Sequence, residues 1–382
     1  ARRAVLGVAT DIPVYVVDDS GRAQRRGTLS PVHPGFLFVD DDDQRRGAYD
    51  FGADLRWFLD DLRPSGFLGR LVPRRHPELE LPDDVRRWTA DHVLRFITRY
   101  GHDLVGNVVV GDAALSRWHT TTADIVDVDD YPRLAALELT AGTSGSSAGG
   151  EQPKLLARRR DDERQIHDVL VKWSPPLDND VARRVGELLV CEHHALQALA
   201  TTGVATSSSR LVERGAQIFL DVQRFDRVGA RGRRGLVSLG VLDDAFVGAR
   251  SGGWPTTTSA LVRLRRIDAD AHRHARIAAL FGAFIANSDM HHGNLSFFVD
   301  EQLRLAGLAP IYDMLPMRYA PVAGQLVERR IEAVAVLPDD DDIADVVVAA
   351  ARLFWQAVVA DARIGASLTT IARAHLATAP LR

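Results

Sequence analysis

A chain of 382 residues, 46% of them hydrophobic, is long enough for two or three packed units, each with a core of its own. The net charge of −4 argues against the strongly basic surface of a direct nucleic-acid binder, and no apolar run approaches the roughly 20 residues that cross a bilayer. With Cys191 as the one cysteine, an intrachain disulfide or a multi-cysteine zinc site is excluded, so a soluble cytoplasmic protein without membrane contact is expected. The chain begins at Ala1 with no initiator Met, and residues upstream of it are expected.

In chain order, the first elements are short strands, Val14 to Val17 and Gly35 to Val39, separated by Gly, Pro and charged turns. Helical patterns follow around Leu55 to Leu62 and Val85 to Tyr100, and residues 1–135 form a β-rich N-terminal subdomain with helices. A glycine and serine stretch from Ala141 to Gly150 runs directly into a strand pattern, Gln152 to Arg158, a polar turn and a second strand, His167 to Trp173. A linker does not normally lead straight into a hairpin, so the stretch reads as a phosphate lid. From Asp178 the pattern is helical, with Val181, Val185, Leu188, Leu189, Leu196 and Leu199 on one stripe, Asp178 or Asp180 as the cap and Gly203 as the stop. Glu192 lies on that apolar stripe, where a carboxylate needs a cation or several donors as partner. Strands follow at Arg210 to Glu213 and Gln217 to Val222, closing a second domain at residues 136–228. Residues 229–382 then read as largely helical, with Arg276 to Ala286, Ile343 to Ala360 and Leu368 to Leu376 as its helices, and with Arg231, Arg233 and Arg234 in a solvated loop before them.

Of 47 Lys plus Arg, only Lys154 and Lys172 are lysine. A retained lysine marks a place where the broad guanidinium fork does not serve, and a compact ammonium is what a phosphate-gripping site uses. Asp289 and Asn294 have the D-x-x-x-x-N spacing of a kinase catalytic loop, followed by a strand, Leu295 to Val299, a turn at Asp300 and Glu301, and a second strand leading to Asp313. In such a loop the Asp orients the attacking hydroxyl and accepts its proton, while the Asn and a second Asp hold Mg²⁺. Phosphoryl transfer is mainly positioning and charge neutralisation, so these groups must converge on one triphosphate. Lys172 then fits the strand lysine on the phosphates and Glu192 the helix carboxylate that holds it, which answers both oddities together. His291 and His292 lack any zinc-ligand spacing, so an electrostatic or structural role beside the γ-phosphate is expected of them.

Several strings resemble the HipA kinases. Ser147 to Lys154 is similar to their S-x-x-G-x-Q-x-K phosphate loop, and Gln223-Arg224-Phe225-Asp226-Arg227 to their E-R-F-D-R hinge, with Gln in place of Glu at 223. Asn287 to Asn294 resembles their catalytic loop and Tyr312-Asp313-Met314 their metal motif, while Trp57 to Arg70 resembles the YjjJ branch. The resemblance implies an α+β, protein-kinase-like two-lobed fold with a β-rich N-terminal unit and a helical C-lobe, and a serine/threonine protein kinase of a toxin-antitoxin system that uses ATP and Mg²⁺. It implies Asp289 as the catalytic aspartate and Asn294 and Asp313 as metal ligands. It also implies an ATP site drawn from Lys172, Glu192, Ser147, Gly149, Gly150, Gln152, Lys154 and His291, with the backbone of Gln223 and Phe225 on the adenine. A serine at the position of Ser147 is autophosphorylated in the family, which ejects the loop and inactivates the enzyme; Ser144 and Ser146 are equally placed candidates. Expected partners are a protein substrate and either a helix-turn-helix antitoxin or a DNA-binding extension upstream of Ala1. Two other readings stay open, a small-molecule kinase and a pseudokinase that binds a DNA-bound antitoxin.

Overall fold

The computed structural model describes residues 11–41, 50–142, 152–249 and 251–378. The chain forms two compact units. The first gathers the chain up to Asp124 with two later segments, Phe225–Val237 and Phe297–Ala306, and the second takes the rest.

In the first unit, strands β1 (Ile12–Val17), β2 (Ala23–Pro31), β3 (Phe36–Asp40), β4 (Asp50–Gly52) and β5 (Val108–Val110) form an antiparallel sheet in the order β4-β3-β2-β1-β5. Alternation along β1 turns Ile12, Val14 and Val16 to one face, where they meet Phe36, Leu59 and the apolar stripe Val93, Leu94, Phe96 and Ile97 of helix α2 (Ala90–Tyr100), which follows α1 (Gly66–Arg75). Val17 and Val109 pack on the other face against Ala114 and Trp118 of α3 (Asp112–Thr120). The helix expected at Leu55 to Leu62 is only the turn Trp57–Asp60, because Asp60 and Asp61 run into Arg63-Pro64 and Pro64 cannot continue it.

Of the arginines expected in a solvated loop, Arg231 and Arg234 are exposed as expected and Arg233 is buried. Arg233 is 3% exposed, its guanidinium donates to the His102 carbonyl and lies over the Trp118 ring, and Arg231 donates to the Trp118 and His119 carbonyls at 3.1 and 3.0 Å. The Arg231 guanidinium caps carbonyls at the end of α3, where a cation also meets the negative end of the helix dipole.

The second unit carries a five-stranded sheet in the order β6-β7-β8-β10-β9, built from β6 (Ile125–Val126), β7 (Lys154–Arg160), β8 (Ile166–Trp173), β9 (Ser209–Arg214) and β10 (Gln217–Gln223). Only β6 and β7 run parallel. One face buries Leu155, Val169, Val171, Trp173 and Phe219 with Tyr131 of α4 (Tyr131–Gly142). Helix α5 (Asp180–Ala200) also packs against this sheet; its cap is Asn179, between the two aspartates expected, and the Asn179 side chain accepts from the Ala182 N–H at 2.9 Å.

Further helices are α6 (Trp254–Arg263), α7 (Ala269–Phe284), α8 (Asp341–Ala360) and α9 (Ala366–Thr378). By length and composition α8 and the turn before it could cross a membrane, against the reading that no such run exists, but half of that stretch is buried inside the unit. Ile343, Val347, Phe354, Trp355 and Val358 face inward, and α8 packs on α5, α7 and α9 as a core helix.

Candidate active site

The charged residues read as phosphate- and metal-binding in the sequence, Lys154, Lys172, Glu192, Asp289 and Asp313, lie in the second unit. Along β8, Val169, Val171 and Trp173 point into the apolar core, so the period of two turns Lys172 to the opposite face. There Nζ meets both carboxylate oxygens of Glu192 at 2.8 Å. Glu192 is 1% exposed, and the partner that its place on an apolar stripe demands is Lys172. Lys154 stands directly across the β7–β8 ladder from Lys172, so the only two lysines of the chain share one sheet face. Gln152, just ahead of β7, donates its amide to the Trp173 carbonyl.

The second partner of Lys172 is the carboxylate of Asp313. Asp313 has a left-handed backbone, φ 56°, uncommon for a non-glycine residue and better tolerated by Asp than by most. Burial alone would lower the Lys172 pKa, but Asp313 and Glu192 outweigh it and raise it, so the ammonium stays charged. Burial likewise pushes Asp313 up, yet Lys172, then Lys154, and more weakly His291 hold it below the usual carboxylate range. In Glu192 burial raises the pKa and Lys172 pulls against it. Cys191, the neighbour of Glu192, is buried, and burial pushes its thiol far up, which disfavours the thiolate.

The loop Asn287 to Asn294 leaves α7 and has little regular structure, so side chains brace it. Asn287 accepts from the Asp289 N–H at 3.0 Å, and Asn294 Nδ2 donates to the Asp289 carbonyl at 2.9 Å. Met290 lies so close to Gly282 of α7 that a Cβ there would collide with its sulfur. The Tyr312 hydroxyl meets the Gly293 carbonyl and Ser296 Oγ, both at 2.8 Å, which ties the loop to the segment that carries Asp313. From α6, the Trp254 indole donates to the His291 carbonyl at 3.1 Å and Thr257 Oγ1 lies 2.9 Å from His292 Nε2. The Asp289 side chain is exposed, and among the described residues no hydrogen bond reaches its carboxylate.

With its Nδ2 engaged, Asn294 has its amide oxygen left as an acceptor, and Asp313 is an anionic carboxylate. Two hard oxygen donors suit Mg²⁺ and not a softer metal, and among the described residues no cluster of three His, Cys, Asp or Glu offers another centre.

The structure thus brings together Lys154, Lys172, Glu192 and Asp313, and separately Asp289, His291 and Asn294, with Tyr312 joining the two groups. Gln223 ends β10 with its N–H donated to the Ser208 carbonyl at 2.8 Å, so that N–H is not the one to meet a purine. Phe225 falls in the first unit, its ring edge-on to Phe298 at 6.0 Å. Ser144, Ser146, Ser147, Gly149 and Gly150 lie outside the described residues. Trp254, Thr257, the bracing bond made by Asn287 and the Gly282–Met290 contact escaped sequence reasoning. The Gly-Gly-Trp-Pro start of α6 signals a helix N-terminus, but nothing in it signals a partner some 35 residues on.

The family model for the YjjJ-like toxin middle domain matches residues 8–119, and that for the HipA-like C-terminal domain matches residues 146–372. Toxin YjjJ of Escherichia coli (strain K12) is 37% identical over 371 residues, covering 95% of this chain and 82% of the relative. Among solved structures, HipA of Shewanella oneidensis MR-1, in a complex with HipB and operator DNA, aligns over 96% of both chains with a TM-score of 0.57 at 15% identity, a likeness of fold. The architecture is accordingly the α+β, kinase-like fold of HipA, and the chain belongs to the YjjJ-like toxins of the HipA-like family.

Proposed function

We propose that this protein is an ATP- and Mg²⁺-dependent serine/threonine protein kinase, acting in the cytoplasm as the toxin of a toxin-antitoxin pair. The observation that carries this reading is the buried Lys172–Glu192 pair meeting Asp313, with the Asp289–Asn294 loop tied to the Asp313 segment through Tyr312. Each of those side chains has the type and charge that transfer of a γ-phosphoryl group requires.

Bound MgATP would supply the phosphoryl group and the positive charge that offsets its phosphates. Lys172, fixed by Glu192, would grip the α- and β-phosphates, and Lys154 and Gln152 would support the tail with Ser147, Gly149 and Gly150. Asp313 would exchange its lysine contact for the metal, shared with Asn294. Asp289 would orient the substrate hydroxyl and take its proton, which its exposed carboxylate suits. His291 would add positive charge near the γ-phosphate, and the Gln223 carbonyl, its N–H being engaged, would meet the adenine. Ser147, or Ser146 or Ser144, would be the autophosphorylation site. The substrate would be a protein; the partner that neutralises the toxin would be a helix-turn-helix antitoxin, as the HipB-bound relative suggests, or a DNA-binding extension upstream of Ala1.

Incubation with γ-labelled ATP and Mg²⁺ in a cell lysate tests the reading. Label on protein with the wild type, and at least 1000-fold less with Asp289→Ala at an unchanged melting temperature, is expected on the order of magnitude that loss of such a group causes. Equal labelling by Asp289→Ala would overturn the catalytic assignment, label confined to small molecules would point to a small-molecule kinase, and no label at all would point to a binding module.

A further inference from the structure

The two adjacent threonines of α6, Thr257 and Thr258, are both 0% exposed, yet they use their hydroxyls differently. A threonine inside a helix ordinarily donates back to the carbonyl three or four residues earlier. Thr258 does so, to the Trp254 carbonyl at 2.8 Å and the Pro255 carbonyl at 3.2 Å, and also meets His272 Nδ1 at 2.8 Å. The Thr257 hydroxyl instead lies 2.9 Å from His292 Nε2, in the Asp289–Asn294 loop. One turn earlier on the same helix, the buried Trp254 indole donates to the carbonyl of His291. Two consecutive loop residues are therefore each bonded to α6, one through its carbonyl and one through its ring.

The loop needs such bracing. Its only regular structure is the short turn His292–Asn294, so its backbone has no ladder to fix it. Asn287, itself tied to the Gly282 carbonyl and Met314, and Asn294 bond the Asp289 main chain from within the loop, while Trp254 and Thr257 tie the loop residues His291 and His292 to a helix whose buried residues anchor it in the unit. Asp289 is the group whose placement matters most, since a displacement of about 1 Å at a reacting group costs on the order of 100-fold in rate.

We propose that Thr257, through His292, and Trp254, through the His291 carbonyl, are positioning residues that set the catalytic loop and hence the Asp289 carboxylate, while Thr258 is a purely structural residue of the same helix. The inference rests on the kinase reading for its rate consequence and on the geometry alone for the loop's position. Thr257→Val keeps the shape and removes the hydroxyl; kcat for protein phosphorylation should fall at least tenfold with KM for ATP within twofold, and Thr257→Ser should recover kcat to within threefold. Thr258→Val should leave kcat within twofold of the wild type. In ¹⁵N-labelled protein the His292 ring resonances should shift in Thr257→Val and stay in place in Thr258→Val. An unchanged kcat in Thr257→Val, or an equal loss in Thr258→Val, would overturn the proposal. Should the wild type transfer no phosphate, the kinase reading fails by itself and the ring resonances still decide: shifted in Thr257→Val alone supports the brace, unmoved refutes it.

Discussion

Arg227 in the first unit and Lys172 in the second are held in contrasting ways. In the first unit Arg227 reaches the Gly106 carbonyl at 3.1 Å, the Leu104 carbonyl at 2.6 Å, and the carboxylates of Asp226 and Asp103 at 2.8 Å each, while Asp226 also accepts from the Gly106 N–H at 2.9 Å. In the second, every partner of Lys172 is a side-chain carboxylate. Backbone partners cannot be exchanged without unfolding the local chain, whereas a carboxylate can rotate to another ligand. The arginine cluster is a staple that closes the first unit on its Phe225–Val237 segment; the lysine cluster, under the proposed kinase function, would trade a contact for a substrate. In the sequence, Asp226 and Arg227 stood inside the motif read as a nucleotide hinge, and their bonds give them a structural use there.

Lys172 gives the largest test of this contrast. Lys172→Met should strand Glu192 and Asp313 and cost about 3–5 kcal/mol in urea unfolding, with phosphoryl transfer lost. Adding Glu192→Leu should restore much of the stability and none of the activity, because a matched apolar pair replaces the ions. Lys172→Arg should fold yet stay inactive, since the wider fork cannot meet Glu192 and the phosphates in one geometry; an active Lys172→Arg enzyme would break the assignment.

On the staple side, Asp226→Ala should cost about 2–3 kcal/mol, less than Lys172→Met, because Arg227 keeps Asp103 and two carbonyls. A loss equal to that of Lys172→Met would erase the distinction between the clusters.

A smaller effect separates neutral buried groups from both. His375, stacked on Trp355 at 4.2 Å, has its pKa lowered from 6.5 to about 4 by burial, and His193 is lowered to about 4 by burial and then by His194. Between those values the unfolded chain binds more protons than the folded one, so their stabilisation is complete above about 6.5 and is lost as pH falls toward 4. The melting temperature should drop between pH 7.5 and 5, and drop less in His375→Gln; an identical slope in the variant would remove His375 from the account. Smallest of all, Asn179→Ala should cost about 1 kcal/mol by uncapping the helix that carries Glu192, with Asn179→Asp near neutral in the same unfolding experiment.

Strong periodicity was enough to read β1, β7, β8, β10, α5 and α8, because each has an apolar face whose repeat is set by local geometry. Where local signals compete, the reading slipped: Pro64 cut a helix short, and α1, α3, α4 and α6 have mixed faces whose helicity depends on what they pack against.

The residue types and order of the candidate site were legible in the chain itself: two retained lysines, a carboxylate on an apolar stripe, and an Asp and Asn five residues apart before a hairpin and a second Asp. Their meaning follows from chemistry that does not depend on the rest of the fold, since a buried carboxylate needs a cation and a phosphoryl group needs positive charge. Only the tertiary structure decided that Lys154 stands across from Lys172, that Arg233 is buried on Trp118, and that Thr257 reaches His292 while Thr258 does not. Strand register, the stacking of a guanidinium and the choice of a hydroxyl's partner join residues tens of positions apart, and such pairings leave no local period for a sequence to carry.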